Sequence, residues 1–163
     1  SMSDKVVVMK DGFVQQEGSP EEVYNNSVNH FVADFLGHSN FIDAVVEEIE
    51  ENQVTVMLED GNRCRTVTSG DFSLSEKAEI VIRAQKIKLS DLDAEERPDT
   101  TGMNTFKGKI IDRSYMGGEV SYFVELASRQ VLHVISFVKR TPFRRGDNVL
   151  MYVDPANCRL LKI

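Results

Sequence analysis

Residues 120–126 read VSYFVEL, and this stretch decides the fold class of the chain. Its apolar side chains occupy every second position, at Val120, Tyr122, Val124 and Leu126. Successive side chains of a β-strand point to opposite faces of the sheet, so this alternation places all four on one face. The stretch therefore predicts a strand with one face in a core.

Short strands of the same kind extend from this stretch towards both ends of the chain. They are predicted at residues 41–49, 54–58, 63–67, 79–83, 87–89, 106–115, 131–138, 149–153 and 159–163. Many short strands at hairpin spacing predict a mainly β fold, a small barrel or sandwich of the oligonucleotide/oligosaccharide-binding type. Gly108 is interpreted as a bend in its long strand, and the acidic residues 91–99 as a solvated linker.

The chain opens with a predicted β-hairpin. Asp11-Gly12 separates an apolar strand at residues 6–9 from a return strand at residues 13–16. This dipeptide favours a tight hairpin turn, because glycine tolerates the positive φ that such turns need.

Two short helices are predicted after the hairpin. Ser19 and Glu22 have the spacing of a capping box, and Pro20 fits the first helical position. Asn29 is the predicted cap of a second helix at residues 30–36, which Gly37 ends. The apolar stripe of that helix is Phe31, Val32, Phe35 and Leu36, interpreted as core.

Composition narrows the function classes. The chain has 163 residues, a formal net charge of −7 and a pI near 5.0, which argues against a nucleic-acid backbone as the main partner. Cys64 and Cys158, without a signal peptide, suggest a reducing, cytosolic setting. No apolar run approaches the roughly 20 residues that span a bilayer, so the chain itself is expected to be soluble. Ser1-Met2 is interpreted as an expression remnant.

The opening residues 4–24 closely resemble the end of the nucleotide-binding domain in ABC-transporter ATPases. The residues that carry the resemblance are Asp11, Gly12, Gly18, Pro20, Glu22 and Tyr24. The resemblance implies that the chain begins where a catalytic domain finishes and acts as the tail of a larger enzyme.

The second half is similar to the TOBE domain, the C-terminal regulatory module of ABC importer ATPases. Its motif residues are Gly108, Tyr115, Gly117, Gly146, Asp147 and Pro155. Arg83 also matches, but the family commonly reads Arg-Pro-Glu where this chain has Arg83-Ala84-Gln85. The loss of the proline and the carboxylate weakens the inference that this corner retains a family contact.

The resemblance implies an OB-like TOBE barrel of short antiparallel strands, preceded by the hairpin and two short helices. Residues 3–39 would be the end of the nucleotide-binding domain with its hinge helices, and residues 40–163 the regulatory domain. The expected function is regulation and dimerisation of the ATP-binding subunit of a polyamine, iron or sugar importer. The fragment itself is expected to hold no cofactor, since ATP and magnesium would bind the catalytic domain.

The resemblance also implies partners and a location. The expected partners are that nucleotide-binding domain, the transmembrane permease subunits and a second copy of the chain, with no nucleic acid. The second copy would make a weak homodimer through the strand-rich region after Phe41. The subunit would be cytoplasmic and peripheral on the inner face of the membrane.

The glycine and histidine residues that superficially match catalytic or metal-binding motifs are better interpreted as structural. Gly108-Lys109 lacks the spacing and the following Ser/Thr of a phosphate-binding loop, so no ATP hydrolysis is expected from this chain alone. Gly117 and Gly118 are interpreted as a hairpin turn in which both glycines adopt conformations closed to side chains. The three histidines, His30, His38 and His133, lack metal-ligand spacing, so no metal site is expected.

One basic cluster stands out against the acidic composition. It consists of Lys139, Arg140, Arg144 and Arg145. These residues could hold an anion or an acidic partner, or they are exposed loop charges. Two other functions stay open. The first is a small-ligand sensor for an oxyanion, sugar or metal, which the resemblance implies because TOBE domains elsewhere bind small oxyanions. The second, less favoured, is a nucleic-acid-binding barrel.

Overall fold

The computed structural model describes residues 4–26, 28, 29, 32, 38–68, 70–139 and 141–163. The strands in this part of the chain are β1 (Val6–Lys10), β2 (Phe13–Gly18), β3 (Ser39–Ile49), β4 (Gln53–Leu58), β5 (Arg63–Val67), β6 (Lys77–Arg83), β7 (Lys88–Asp91), β8 (Asn104–Met116), β9 (Glu119–Leu126), β10 (Val131–Phe137), β11 (Asn148–Val153) and β12 (Arg159–Lys162). Helix α1 spans Pro20–Asn25, and short 3-10 helices span Ala84–Lys86 and Pro155–Asn157. The prediction of a mainly β fold is confirmed.

The opening hairpin and its following helix form as predicted. Strands β1 and β2 pair antiparallel, and Asp11 and Gly12 have φ values of 51° and 82°. Two consecutive positive φ angles match the type I′ turn that suits the twist of a hairpin. At α1 the Glu22 amide donates to Ser19 Oγ at 3.2 Å, and the Ser19 amide donates to Glu22 Oε2 at 3.3 Å. These two bonds are the predicted capping box.

The first large unit is a closed barrel with the strand order β12-β5-β4-β3-β6. Its closing strand, β12, is the end of the chain. It pairs antiparallel with β6 and parallel with β5, where Arg159 lies opposite Val67. The last strand therefore returns to the first half of the chain and removes the free edges there.

The second unit is a five-stranded sheet with the order β10-β9-β8-β11-β7. Strand β8 is its long central member, and its register shifts between Ile110 and Asp112. The register shift does not lie at Gly108, and the bend assigned to that residue stays a prediction. A Cβ on Gly108 would lie 2.5 Å from Val124 Cγ1 and 3.0 Å from the Glu125 carbonyl oxygen, so close packing requires this glycine.

The two units share one hydrophobic core that includes residues of every strand from β3 to β12. Asn40, buried on β3, joins them through its amide. It donates to the His133 carbonyl at 2.8 Å and accepts from the His133 amide at 2.7 Å. Asn104 on β8 likewise bonds the backbone of Arg65 at 2.9 and 2.7 Å. The barrel and the sheet are therefore one packed body, called the body below (residues 39–163).

The turn between β8 and β9 differs from the prediction at one residue. Gly117 has a φ of 62°, but Gly118 does not lie in the left-handed region, and a Cβ on it would contact nothing within 4 Å. A single left-handed residue at the first central position is what a type II′ turn requires. The expectation that Gly118 is closed to side chains is therefore wrong.

Some predictions lie outside the described residues. They are the interpretation of Ser1-Met2 and most of the helix at residues 30–36, with its cap Gly37 and its Phe31, Phe35 and Leu36. Its predicted N-cap bond is present, since the Val32 amide donates to Asn29 Oδ1 at 3.0 Å. The domain boundary at residues 39 and 40 stays a prediction.

Candidate functional site at the junction of the opening segment and the body

The opening segment (residues 4–26) meets the body at Arg83, the last residue of β6. Arg83 Nη1 donates to Ser39 Oγ at 2.7 Å, and Nη2 donates to the Tyr24 carbonyl oxygen at 2.8 Å. The guanidinium carbon also lies 4.3 Å from the centre of the Tyr24 ring, within the range of a cation–π contact. One side chain therefore ties the end of α1 to the barrel.

This arginine is buried, with an exposed fraction of 8%. Burial lowers its pKa, and the neighbouring Tyr24 acts in the opposite direction. An arginine stays protonated in proteins even so, hence the junction contains a buried positive charge. Arg83 makes its bonds to Tyr24 and Ser39 with Ala84 and Gln85 in the 3-10 helix that follows it. Whether this corner retains the family's own contact stays a prediction.

Arg159 on β12 makes a second link across the junction. Its Nη1 donates to Asn26 Oδ1 at 3.1 Å, and burial lowers its pKa. Sequence analysis did not single out Arg159, Asn26 or Ser39. Arg159 and Asn26 lie 133 positions apart, and no local pattern signals a contact at that distance.

The local sequence fixes the geometry of the opening segment. Gly18 leaves space for the capping box, since a Cβ there would lie 2.8 Å from Glu22 Oε2. Pro20 occupies the first turn of α1, as predicted. Val8 and Val23 are buried together with Val32 in a small cluster of their own. The segment thus holds Tyr24 towards Arg83 with few buried residues.

The remaining motif residues occupy structural positions in the body. Gly146 has a φ of 95°, and its amide donates to the Ile110 carbonyl at 2.8 Å. Asp147 accepts from the Arg144 amide at 2.8 Å, which closes the same turn beside the register shift of β8. Pro155 begins a 3-10 helix, and Tyr115 is half exposed near the end of β8. Pro155 lies next to the junction, because Ala156 and Asn157 of its 3-10 helix line the cavity shared by Tyr24, Arg83 and Arg159, whereas Gly146, Asp147 and Tyr115 do not line it.

The basic cluster lies in the loop between β10 and β11. Lys139, Arg144 and Arg145 are exposed, and Arg140 is outside the described residues. Lys139 Nζ lies 5.6 Å from the centre of the Phe143 ring. The described residues of this cluster take no part in the junction bonds of Arg83 and Arg159, and the role of the cluster as an anion or partner patch stays a prediction.

The two cysteines, distant in sequence, are neighbours in the body. Both are buried, and the neighbouring Cys158 side chain, together with burial, raises the pKa of the Cys64 thiol. The Asn104 side-chain amide donates to Cys158 Sγ at 3.2 Å. Buried thiols of this kind behave as small apolar side chains.

The described residues were compared with the requirements of a metal site and of a membrane-spanning helix. Within them, no group of three or more His, Cys, Asp or Glu residues could hold a metal ion. No helix in the same part of the chain has the length and apolar character needed to cross a bilayer.

Three curated relatives carry the same name, "Spermidine/putrescine import ATP-binding protein PotA". The protein of Acetivibrio thermocellus is 35% identical over 162 residues, which is 99% of this chain and 41% of the relative. Those of Salmonella typhi and Legionella pneumophila are 33% and 30% identical over 84% and 93% of this chain, and 35% and 39% of their own lengths. This chain therefore spans about two fifths of the relatives that it matches.

A solved structure shares the fold. The cytoplasmic molybdate-binding protein ModG superposes with a TM-score of 0.66 over 76% of this chain and 96% of its own, at 14% identity. At that identity the likeness shows the fold alone. The sequence profile described as "TOBE domain" matches residues 80–161, which run from β6 to β12 and include Arg83 and Arg159 of the junction. On this match, the chain belongs to the TOBE domain family.

Proposed function

We propose that the chain is the regulatory part of the ATP-binding subunit of an ABC importer, with polyamines as the preferred solute class. The named function of the curated relatives supports the importer role and the solute class. The observation that carries the regulatory role is the junction at Arg83. It connects a segment with the features of an ATPase-domain end to a regulatory barrel, so a movement of either one would reach the other.

The proposal includes partners and a location. The opening segment packs against the preceding ATPase domain of the longer subunit, and the subunit works with membrane permeases on the cytoplasmic face. ATP and magnesium bind the ATPase domain, and this chain hydrolyses no ATP. A second copy of the body pairs with the first in a modest interface, near the low end of roughly 1,200–2,000 Å² in total.

The test is the coupling of ATP hydrolysis to uptake in the full-length subunit, reconstituted with its permeases. Arg83→Met should leave hydrolysis by the ATPase domain in place and reduce the uptake of labelled spermidine per ATP consumed. Arg65→Met is a suitable control, since Arg65 lies on β5 and its guanidinium donates to the Gly102 carbonyl rather than to the opening segment. Equal ratios of uptake to hydrolysis in both variants would contradict the regulatory role of the junction.

The alternative function is a small-ligand sensor. Its support is the shared fold with a protein described as molybdate-binding. A calorimetric screen of oxyanions, sugars and metal ions against this chain and its Arg83→Met variant separates the two functions, because a sensor site in the barrel would keep its ligand when the junction contact is lost.

A further inference from the structure

A cavity of about 240 Å³ lies at the junction, between the opening segment and the barrel. Tyr24 and Asn26 line it from the opening segment, and Arg83, Lys86 and Arg159 line it from the body. Its volume corresponds to roughly eight water molecules, which is enough for a small polyatomic anion with part of its hydration shell. The opening segment and the body thus both contribute polar side chains to one cavity.

The charge around this cavity has one sign. Three of its lining residues are cationic, and none of those in the described part of the chain carries a carboxylate. The whole chain has a net charge of −7, so this is a local reversal of the average charge. A concave surface lined by cations concentrates anions from the solvent.

The arginines are held in place before any ligand arrives. Arg83 is fixed by Ser39 and Tyr24, and Arg159 is fixed by Asn26. Side chains that are already ordered lose less conformational entropy when a ligand binds. Burial lowers the pKa of both arginines, and an adjacent negative charge would offset this cost of burying their charges.

We propose that the cavity is a binding site for a small anion that carries phosphate or carboxylate oxygens. Guanidinium groups match the spacing of such oxygens, and Lys86 adds a mobile point charge at the rim. The ligand would contact the opening segment and the body at once, so its binding free energy would strengthen the junction. Anion binding at this site does not depend on the proposed function. Its regulatory consequence, that the anion fixes the ATPase domain to the barrel, does rest on that function.

The same chemistry could come from a free anion or from an acidic side chain of the preceding ATPase domain. Titration of this 163-residue chain with inorganic phosphate by calorimetry, at constant ionic strength, tests the site itself. We expect saturable one-to-one binding that weakens as sodium chloride replaces a neutral osmolyte. The thermal midpoint should rise with phosphate concentration.

Matched lysine variants locate the binding. Lys86→Gln should weaken phosphate binding by roughly threefold to tenfold, as expected for the loss of one partly screened charge. Lys88→Gln is the control, because this residue is also exposed but lines a different cavity. It should leave the affinity unchanged. Arg159→Gln should weaken binding further than Lys86→Gln.

The result that overturns the site is a phosphate response that does not saturate, or one that Lys86→Gln and Lys88→Gln reduce equally. In the full-length subunit, a midpoint that still rises with phosphate identifies a free anion as the ligand. If phosphate has no effect there and Lys86→Gln alone lowers the midpoint, a carboxylate of the ATPase domain fills the cavity. If neither phosphate nor Lys86→Gln changes the midpoint of the full-length subunit, the proposal that an anion in this cavity fixes the ATPase domain to the barrel is wrong. Failure of the proposed function is separate, since it is measured as uptake per ATP in Arg83→Met.

Discussion

The opening segment packs around Val8 and Val23 with Val32, whereas the body has a core that runs through ten strands. The hairpin also leaves Phe13 74% exposed and Met9 53% exposed. Because stability grows with the apolar area that leaves water, the body should unfold cooperatively and the opening segment should open at much lower cost. The comparison teaches that the segment keeps its geometry through the junction and its local capping, not through a core.

The largest expected effect is a truncation in the core of the body. Phe106 on β8 is 2% exposed, and Phe106→Ala should lower the free energy of unfolding by about 3–5 kcal/mol. The measurement is urea unfolding followed by far-UV circular dichroism, since the chain has no tryptophan. The matched change in the segment, Val23→Ala, should leave this midpoint unchanged and speed trypsin cleavage after Lys10. An equal shift of the midpoint in both variants would break the comparison.

A glycine pair tests the close packing of the second sheet. Gly108→Ala should cost about 1–3 kcal/mol, because the new Cβ would clash with Val124 and the Glu125 backbone. Gly118→Ala places its Cβ in open space and should change stability by less than about 0.5 kcal/mol. The same urea titration distinguishes them, and similar costs for the two changes would disprove the packing role of Gly108.

At the junction, substitution of Arg83 should act on the segment more than on the body. Arg83→Met removes both hydrogen bonds and the contact with Tyr24, so trypsin should cleave after Lys10 roughly tenfold faster, which corresponds to one net hydrogen bond to a charged group. Arg83→Lys keeps the charge but lacks the planar guanidinium group, so its rate of trypsin cleavage should lie between those of the unsubstituted chain and Arg83→Met. Unchanged cleavage in Arg83→Met would show that the junction does not hold the segment.

The smallest expected effect is a pH dependence of stability that arises at His133 on β10. Burial, and then the charge of His38, lower the pKa of His133 below its usual value near 6.5. As the pH falls below about 6.5, the unfolded chain binds more protons than the folded chain, so the free energy of unfolding decreases. The contribution of neutral His133 to stability is fully present above that pH. Urea titrations at pH 7.5 and 5.5 measure this loss. His133→Phe should reduce it, and an identical loss in that variant would assign it to other groups.

Local sequence patterns predicted most of the strands. They could not predict contacts between residues that are distant in sequence. The alternation in β9 and the Asp11-Gly12 turn were sufficient because each depends on neighbours in sequence. The contacts of Arg83 with Tyr24 and of Asn40 with His133 join residues 59 and 93 positions apart. The return of β12 to the barrel depends on the whole topology in the same way. The prediction that Gly118 is closed to side chains was wrong, because the sequence of a two-glycine turn does not reveal which residue has the positive φ.

Native-state hydrogen exchange tests the difference between the two regions most directly. We expect the amides of β1 and β2 to exchange through a local opening that depends little on denaturant. The amides of β3, β6 and β8 should exchange only through global unfolding. Arg83→Met should accelerate exchange in the hairpin and leave the body unchanged. Equal free energies of opening for the hairpin and for these three strands would contradict the account, because the chain would then be one cooperative unit.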